Sequence, residues 1–288
     1  MEIEEAYIRE VKRRYPQCSH ASNIIAKSNS ALRQSEREAL DMLMPHYAAY
    51  LQRVLAIETY DEAAVREKVA CLNEYYNFMH SNGLDLAFSS QGKFRPTILE
   101  EFLFLLFKDY IRDMKACKDT DGVLGCGAVK AYSNLYFKAR NFGEFIKAPM
   151  IGVNEKDQDF AIYRTFDISV DGGTQMEICI PAVAMEAKTY IDKTMLDSII
   201  ATAEKLKSGN PHTRFVAVAE RYDVSFSVDP AYSRIDQIYV LRKDMRKRGP
   251  WIEIDAGVVW RMFRETVCHL ENSWSDIAGR LARDGVIL

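Results

Sequence analysis

The chain has 288 residues, of which 48% are hydrophobic, 27% are charged and 11% are aromatic, and its formal net charge is −3. Such a composition is typical of a globular protein and excludes an intrinsically disordered chain. It contains no apolar run near the roughly 20 residues needed to cross a membrane, and its N-terminus is too charged for a signal peptide, so a cytoplasmic location without a membrane partner is expected. The slightly acidic total does not favour a nucleic-acid ligand, although phosphate contact needs only a local basic surface.

The six cysteines do not form a metal-binding or disulfide pattern. None of them are in CxxC spacing, and the neighbours Cys18 and His20 have no matching second pair. Reduced thiols are therefore expected, and a zinc site is not.

Residues 1–90 are predicted to form a helical N-terminal region. Apolar residues recur at three- and four-residue spacing in SALRQSEREALDMLMPHYAAYLQRVLAI, with Ser30 or Ser35 as the candidate N-cap. A second helix is predicted to begin after Asp61 and to end near Gly83.

Residues 91–225 are predicted to form an α/β core with a mixed sheet. A strongly apolar helix begins at Pro96, and the Gly-rich stretch after residue 120 predicts short strands with turns. Two β-type runs flank Asp171-Gly172-Gly173 and predict a hairpin. A helix capped by Asp192 or Thr194 and a buried strand over 213–221 follow, which gives the mixed sheet.

Residues 226–288 form the third predicted region. It holds a strand, then a basic tract and a last helix. The tract LRKDMRKRG carries five cations in seven residues, which could lie along DNA phosphates: Arg242, Lys243, Arg246, Lys247 and Arg248. Polar and aromatic side chains in AYSNLYFKARN are weaker candidates for reading base edges.

The second strand of the hairpin ends with an acid and a base on one face. Strand alternation places Glu186 and Lys188 on the same side, roughly 6.6 Å apart along the strand. An apolar run leads into this pair and a helix follows it. A lone ExK tripeptide is common on solvent-facing hairpin ends, so the case for a functional pair depends on a second acid that lies opposite.

The pairing of residues across the predicted hairpin supplies that second acid. If Gly172-Gly173 form a two-residue turn, Glu186 faces Asp159, whereas a turn at Asp171-Gly172 makes it face Asp157. Asp167 would oppose Ile178, about 26 Å from Glu186 along the strand, so it ranks third. A bulge at Pro181 would shift this register.

Two carboxylates and a lysine form a set suited to phosphodiester hydrolysis. Mg²⁺ prefers oxygen ligands, often one or two carboxylates with waters and substrate oxygens, and it activates water while neutralising the phosphate. Asp159 and Glu186 are the predicted ligands, with the main-chain carbonyl of Ala187 as a third. Lys188 is predicted to orient or help deprotonate the water and to stabilise phosphate charge.

Asp159, the string Glu186-Ala187-Lys188, and the helix and strand after them resemble the PD-(D/E)xK nuclease superfamily, although Gln158 stands where that pattern has proline. The string MEAKTYIDKTMLD, with FRPTILEEFLFLLFKD and RIDQIYVLRK, is similar to heterodimeric type II restriction endonucleases of the BbvCI type. The resemblance covers most of residues 90–245 and implies a restriction-endonuclease-like fold.

The resemblance also implies a function. It implies Mg²⁺-dependent cleavage of double-stranded DNA at a short site, one strand per subunit, with a related second subunit; a homodimer is the alternative. Many superfamily members draw a further acid from a helix before the hairpin, and Glu100 or Glu101 would be that acid here. A repair or defence nuclease of the same fold, or a non-catalytic DNA-binding subunit, would share much of this pattern.

Overall fold

A computed structural model describes residues 2–84, 87–88, 94–118, 123–147, 149–170, 174–245, 249–272, 274 and 276–285. The helices are α1 (Glu2–Arg14), α2 (Ser19–Ser28), α3 (Gln34–Ala56), α4 (Glu62–Ser81), α5 (Pro96–Lys118), α6 (Phe142–Lys147), α7 (Lys193–Gly209), α8 (Ala256–Glu271) and α9 (Ile277–Asp284). The strands are β1 (Leu124–Lys138), β2 (Met150–Val170), β3 (Thr174–Ile191), β4 (Arg214–Tyr222) and β5 (Gln237–Asp244). No described helix is long and apolar enough to span a bilayer.

The strands form one mixed sheet in the order β1-β2-β3-β4-β5. The pairs β1–β2 and β2–β3 are antiparallel, whereas the pairs β3–β4 and β4–β5 are parallel. This arrangement confirms the predicted hairpin, helix and strand, and with them the α/β class. The turn residues 171–173 lie outside the described residues.

The sheet separates two apolar layers. One face packs with α5, α8 and the N-terminal helices in a core that includes Phe160, Val183 and Met185. The other face packs with α7 in a second core that includes Ala184 and Ala217. Because successive strand residues point to opposite faces, this division fixes the side on which each residue of β3 lies.

Two local predictions were wrong for tertiary reasons. The stretch after residue 120 was predicted as short strands with turns, but it forms the single 15-residue strand β1. Gly125 leaves room for the ring of Tyr163, which lies against it, so this glycine permits a close approach and does not mark a turn. Helix α3 begins after Arg33, whose main-chain N–H donates to the Glu36 carboxylate at 3.1 Å, and neither Ser30 nor Ser35 is its cap.

A buried carboxylate joins α5 to the N-terminal helices. Glu101 is 1% exposed and accepts hydrogen bonds from the Tyr47 hydroxyl at 2.6 Å and from the Ala21 main-chain N–H at 2.9 Å. The second bond places a carboxylate at the N-terminus of α2, where it is favoured by the helix dipole. Burial nevertheless raises the pKa of Glu101 to about 7, because its hydrogen bonds only partly offset desolvation.

The raised pKa of Glu101 predicts that the stability of the folded protein depends on pH. Its pKa lies above the ordinary 4.5, so the folded protein holds a proton that the unfolded chain has released between about pH 4.5 and 7. Stability should therefore fall as pH rises through this window, by roughly 1–3 kcal/mol from this one group. Urea unfolding at pH 5 and pH 8 should show this loss in the wild type but not in Glu101→Gln.

Glu100→Gln, one position along the same helix and partly exposed, is the matched control and should keep the loss. An unchanged pH dependence in Glu101→Gln would contradict this account of Glu101.

Candidate active site

Three side chains converge where β2 and β3 meet. The Lys188 Nζ atom donates to Asp159 Oδ2 at 2.9 Å and to Glu186 Oε2 at 2.7 Å. The main-chain N–H of Ala187 donates to the same Asp159 oxygen at 2.9 Å. One ammonium group therefore lies between two carboxylates that are far apart in sequence.

The register of the hairpin brings these groups together, although the pairing near the turn differs by one residue from the pairing nearer the site. Val170 pairs with Thr174, so paired numbers near the turn sum to 344, whereas Phe160 pairs with Met185 and the sum there is 345. Ile162 pairs with Val183 and Tyr163 with Pro181, which leaves Ala182 as an extra, bulged residue. Continued by one residue beyond this ladder, the sum of 345 places Asp159 opposite Glu186, and Lys188 contacts both side chains.

The bulge decides which residue faces Glu186. If the sum of 344 continued along the hairpin, residue 186 would face Gln158, which cannot serve as a second acid. A one-residue shift would also carry Phe160 out of the core shared with α5. Burial of the apolar residues therefore requires the same register as the site does. The extra residue, Ala182, joins this register to the one nearer the turn.

Side chains from distant elements hold the bulge. The carbonyl of Pro181 accepts hydrogen bonds from Asn210 Nδ2 at 3.0 Å and from the buried Thr213 hydroxyl at 2.7 Å. His269 Nε2 lies 3.2 Å from the carbonyl of Ala182. The sequence analysis missed all three residues, although Pro181 within a strand was a signal that its neighbours would need partners.

The site is half-buried and sets one lysine against two acidic side chains. The side chains of Lys188, Asp159 and Glu186 are 30%, 27% and 12% exposed. Burial by itself would lower the pKa of Lys188, but the carboxylates of Asp159 and Glu186 outweigh it, so the pKa is raised. In this arrangement the lysine is a cation and a hydrogen-bond donor.

The other candidate aspartates lie elsewhere. Asp157 is exposed and pairs with Lys130 of β1, on the side of β2 away from β3. Asp167 pairs with Glu177, near the turn end of the hairpin. The predicted opposition of Asp167 and Ile178 was wrong by one residue, because the bulge lies between that position and the site.

Helix α5, which carries Glu100 and Glu101, packs on the other face of the sheet. Phe107 of α5 stacks on Phe160 with ring centroids 5.4 Å apart, so α5 covers the face that Met185 also occupies. Glu186 and Lys188, which alternate with Met185, point to the opposite face. The prediction that Glu100 adds an acid is therefore not supported by this geometry, and the alternative, Glu101, caps α2 instead.

The predicted DNA contact of Arg242 is wrong. Its side chain is buried, its Nε donates to Glu220 Oε2 at 2.8 Å, and its guanidinium lies 4.2 Å from the Trp251 ring centroid. The wholly buried Glu220 requires such a partner, which explains why this arginine is inside. Lys243 is exposed and pairs with Asp255 at 2.5 Å, and Arg246, Lys247 and Arg248 lie outside the described residues.

The donor set fits a small, hard cation. The described residues contain no group of three or more His, Cys, Asp or Glu side chains arranged around a metal position. Two carboxylates are, however, the usual protein contribution to a Mg²⁺ site, where waters and substrate oxygens complete the shell. One oxygen of Asp159 and one of Glu186 both contact the Lys188 Nζ atom, so they are close enough for a single cation to contact both carboxylates.

A comparison with solved structures agrees with this fold. Among solved structures, the chain is similar to one titled "native BbvCI A2B2 tetramer at low resolution", with 21% identity, a TM-score of 0.69, and coverage of 90% of this chain and 98% of that chain. At this identity the likeness shows the fold alone. No curated protein matches.

A family model gives the more specific result. The model described as "Bpu10I restriction endonuclease" matches residues 91–250, which is more than half of the chain and includes Asp159, Glu186 and Lys188. The chain therefore belongs to the Bpu10I restriction endonuclease family.

Proposed function

We propose that this chain is one subunit of a type II restriction endonuclease that hydrolyses phosphodiester bonds of duplex DNA with Mg²⁺. The observation that carries the proposal is the convergence of Asp159 and Glu186 on Lys188, at 2.9 and 2.7 Å, within the part of the chain that matches the family. Neither an acidic pair alone nor the fold alone would indicate this chemistry.

Each residue of the set has a distinct task. Asp159 and Glu186 would hold the cation, together with the carbonyl of Ala187. The N–H of Ala187 fixes the Asp159 carboxylate, so the ligand does not rotate away. When bound, Mg²⁺ supplies a water of lowered pKa and neutralises the phosphate. Lys188 donates to the attacking water or to a phosphate oxygen and stabilises the charge that develops there.

The proposal includes a second subunit. One such site attacks one strand at a time, so a second site on another chain allows both strands of a duplex to be cut in one binding event. The similar solved structure is titled as an A2B2 tetramer. A related second subunit, giving a heterodimer, or a second copy, giving a homodimer, would supply that second site.

Incubation with supercoiled plasmid tests the whole proposal. The purified chain should convert plasmid to nicked or linear products only when Mg²⁺ is present. The assay is run with the chain alone and with any related subunit encoded by an adjacent gene. Discrete fragments from linear DNA support sequence-specific cutting. A smear would favour a nuclease without specificity, and untouched circles in every combination would contradict the proposal.

Lys188→Ala should lower the cutting rate by about 100- to 1000-fold, because a donor aimed at the reacting phosphate is lost. Binding to a duplex that contains the cognate site should stay within a few-fold of wild type. Gel-shift and single-turnover assays measure the two quantities. Lys193→Ala is the matched control, because Lys193 is an exposed lysine that pairs with Asp197 on α7. Normal cutting by Lys188→Ala would exclude the assigned role.

Metal binding should depend on both carboxylates. Asp159→Asn and Glu186→Gln should each weaken Mn²⁺ binding by at least about tenfold in calorimetry, because each removes one charged oxygen ligand. Asp167→Asn removes a carboxylate from the same hairpin at the other end and should leave the affinity unchanged. Equal affinities in all four proteins would place the metal elsewhere.

The bulge should matter to cutting as well as to stability. Thr213→Val removes one hydrogen bond to Pro181 while keeping the shape of the side chain, so we expect about a tenfold lower maximal rate with little change in substrate affinity. Deleting Ala182 removes the bulged residue and keeps the β2–β3 pairs on both sides of it, Tyr163 with Pro181 and Ile162 with Val183. This deletion should restore the rate of Thr213→Val, a rescue that general loss of stability cannot explain. Thr213→Val without a rate defect would show that the bulge needs no such support.

A further inference from the structure

A buried glutamine directly precedes the first acid of the site. Gln158 is 3% exposed, and its Nε2 atom donates to the carbonyl of Asp157 at 2.7 Å. Its other carboxamide atom, Oε1, is buried, and no residue in the described part of the chain donates a hydrogen bond to it. A buried acceptor without a donor costs stability and is rare in folded proteins, so this one requires an explanation.

The contacts of the carboxamide show that the unpaired atom is the oxygen. Nε2 lies 2.7 Å from the carbonyl of Asp157 and 3.5 Å from the carbonyl of Lys156. Turning the group over would place Oε1 against these two carbonyl oxygens, which cannot donate to it. The side chain of Gln158 therefore offers one free acceptor.

A bulge in β2 decides the face of the sheet on which Gln158 lies. Gly127 of β1 pairs with Ala161 and Val129 pairs with Gln158, so Asp159 belongs to a pair of residues that together face one residue of β1. Beside this bulge Gly127 has a φ of +127°, a conformation that favours glycine. Bulges of this kind re-aim side chains and are frequent next to active sites.

The bulge brings Gln158 to the face that carries the site. Val129 packs in the second core, beside α7, and directly paired residues share a face. Glu186 and Lys188 point to that face as well, because Ala187 between them lies in the core on the other side. Gln158 thus lies on the side of the proposed metal ligands and directly before the first of them in sequence.

We propose that Gln158 Oε1 accepts a hydrogen bond from a water in the Mg²⁺ shell that Asp159 and Glu186 hold. The inference rests on the proposed function, which places the ion there. Mg²⁺ keeps several of its waters when it binds to protein, and each of them needs an acceptor. Acceptors in this outer position orient the shell and strengthen metal binding. The proline of the superfamily pattern offers no side-chain acceptor, so this contact belongs to the present chain.

Two substitutions separate the acceptor from the donor of Gln158. Gln158→Met removes both polar atoms and keeps the length of the side chain, so Mn²⁺ affinity in calorimetry should fall about tenfold. Gln158→Glu also lacks the donor to the Asp157 carbonyl but keeps an acceptor, so its affinity should equal or exceed that of the wild type. A glutamine that served only to donate to this carbonyl would make both variants lose affinity alike.

A control and a stability measurement complete the experiment. Gln175→Met changes an exposed glutamine near the turn end of the same hairpin and should leave Mn²⁺ affinity unchanged. Metal-free Gln158→Met should unfold at a urea concentration close to that of the wild type, because the atom that it loses had no partner in the fold. If Gln158→Met did not fold, Gln158→Glu would still decide the question, since a purely structural role predicts weaker Mn²⁺ binding in it.

Three results would overturn the inference: unchanged Mn²⁺ affinity in Gln158→Met, an equal loss in the Met and Glu variants, or no Mn²⁺ binding by the wild type. The proposed function fails separately. Plasmid cutting by the wild type together with unchanged Mn²⁺ affinity in Gln158→Met would remove the role of Gln158 and keep the nuclease. The expected affinities in a protein that cuts no DNA would do the reverse.

Discussion

The alignment of β2 with β3 is the constraint on which the rest of this structure depends. Only one register places Asp159 opposite Glu186 and leaves Lys188 within hydrogen-bond distance of both. The same register keeps Phe160 and Met185 in the apolar layer under α5. Packing of the core and assembly of the site are thus satisfied by one geometry, and a shift of one residue would lose both.

Buried charges tie the helical region to the sheet that carries the site. Glu220 of β4 has no exposed surface and accepts hydrogen bonds from Arg242 of β5, from Arg95 just before α5, and from Tyr76 of α4. Lys68 of α4 and Asp109 of α5 form a second buried pair at 3.1 Å. Removing one partner from such a pair leaves an uncompensated charge, so these contacts specify how the layers meet. They also give the N-terminal helices a structural task that their sequence did not reveal.

Local patterns predicted local features well. Helix α4 begins directly after Asp61, as the sequence indicated, and Asp61 accepts a hydrogen bond from the main-chain N–H of Ala64. Of the two candidate caps for α7, Asp192 is the one that accepts such a bond, from Met195. Strand alternation placed Glu186 and Lys188 on one face, and the pairing across the predicted hairpin indicated Asp159. These successes share one cause, because each depends on residues that are adjacent in the chain or joined by a short turn.

The failures depend on contacts across long stretches of sequence. Arg242 belongs to a basic run, and only the burial of Glu220, 22 residues earlier, shows that it points inward. Turns were predicted in the glycine-rich stretch after residue 120 because the Tyr163 ring that lies on Gly125 is far away in sequence. The bulge at Ala182 gave the expected partner for Glu186 although the register near the turn differs by one residue from the assumed register. Its supports, Asn210, Thr213 and His269, come from elements that no hairpin rule includes.

A crystal structure of the chain soaked with Mn²⁺ tests the central claim most directly. The anomalous signal should show one ion bonded to a carboxylate oxygen of Asp159 and to one of Glu186, each at roughly 2.1–2.2 Å, with the Lys188 ammonium displaced from between them. Two carboxylates bound to different ions, or an ion that contacts neither of them, would contradict the account of this site.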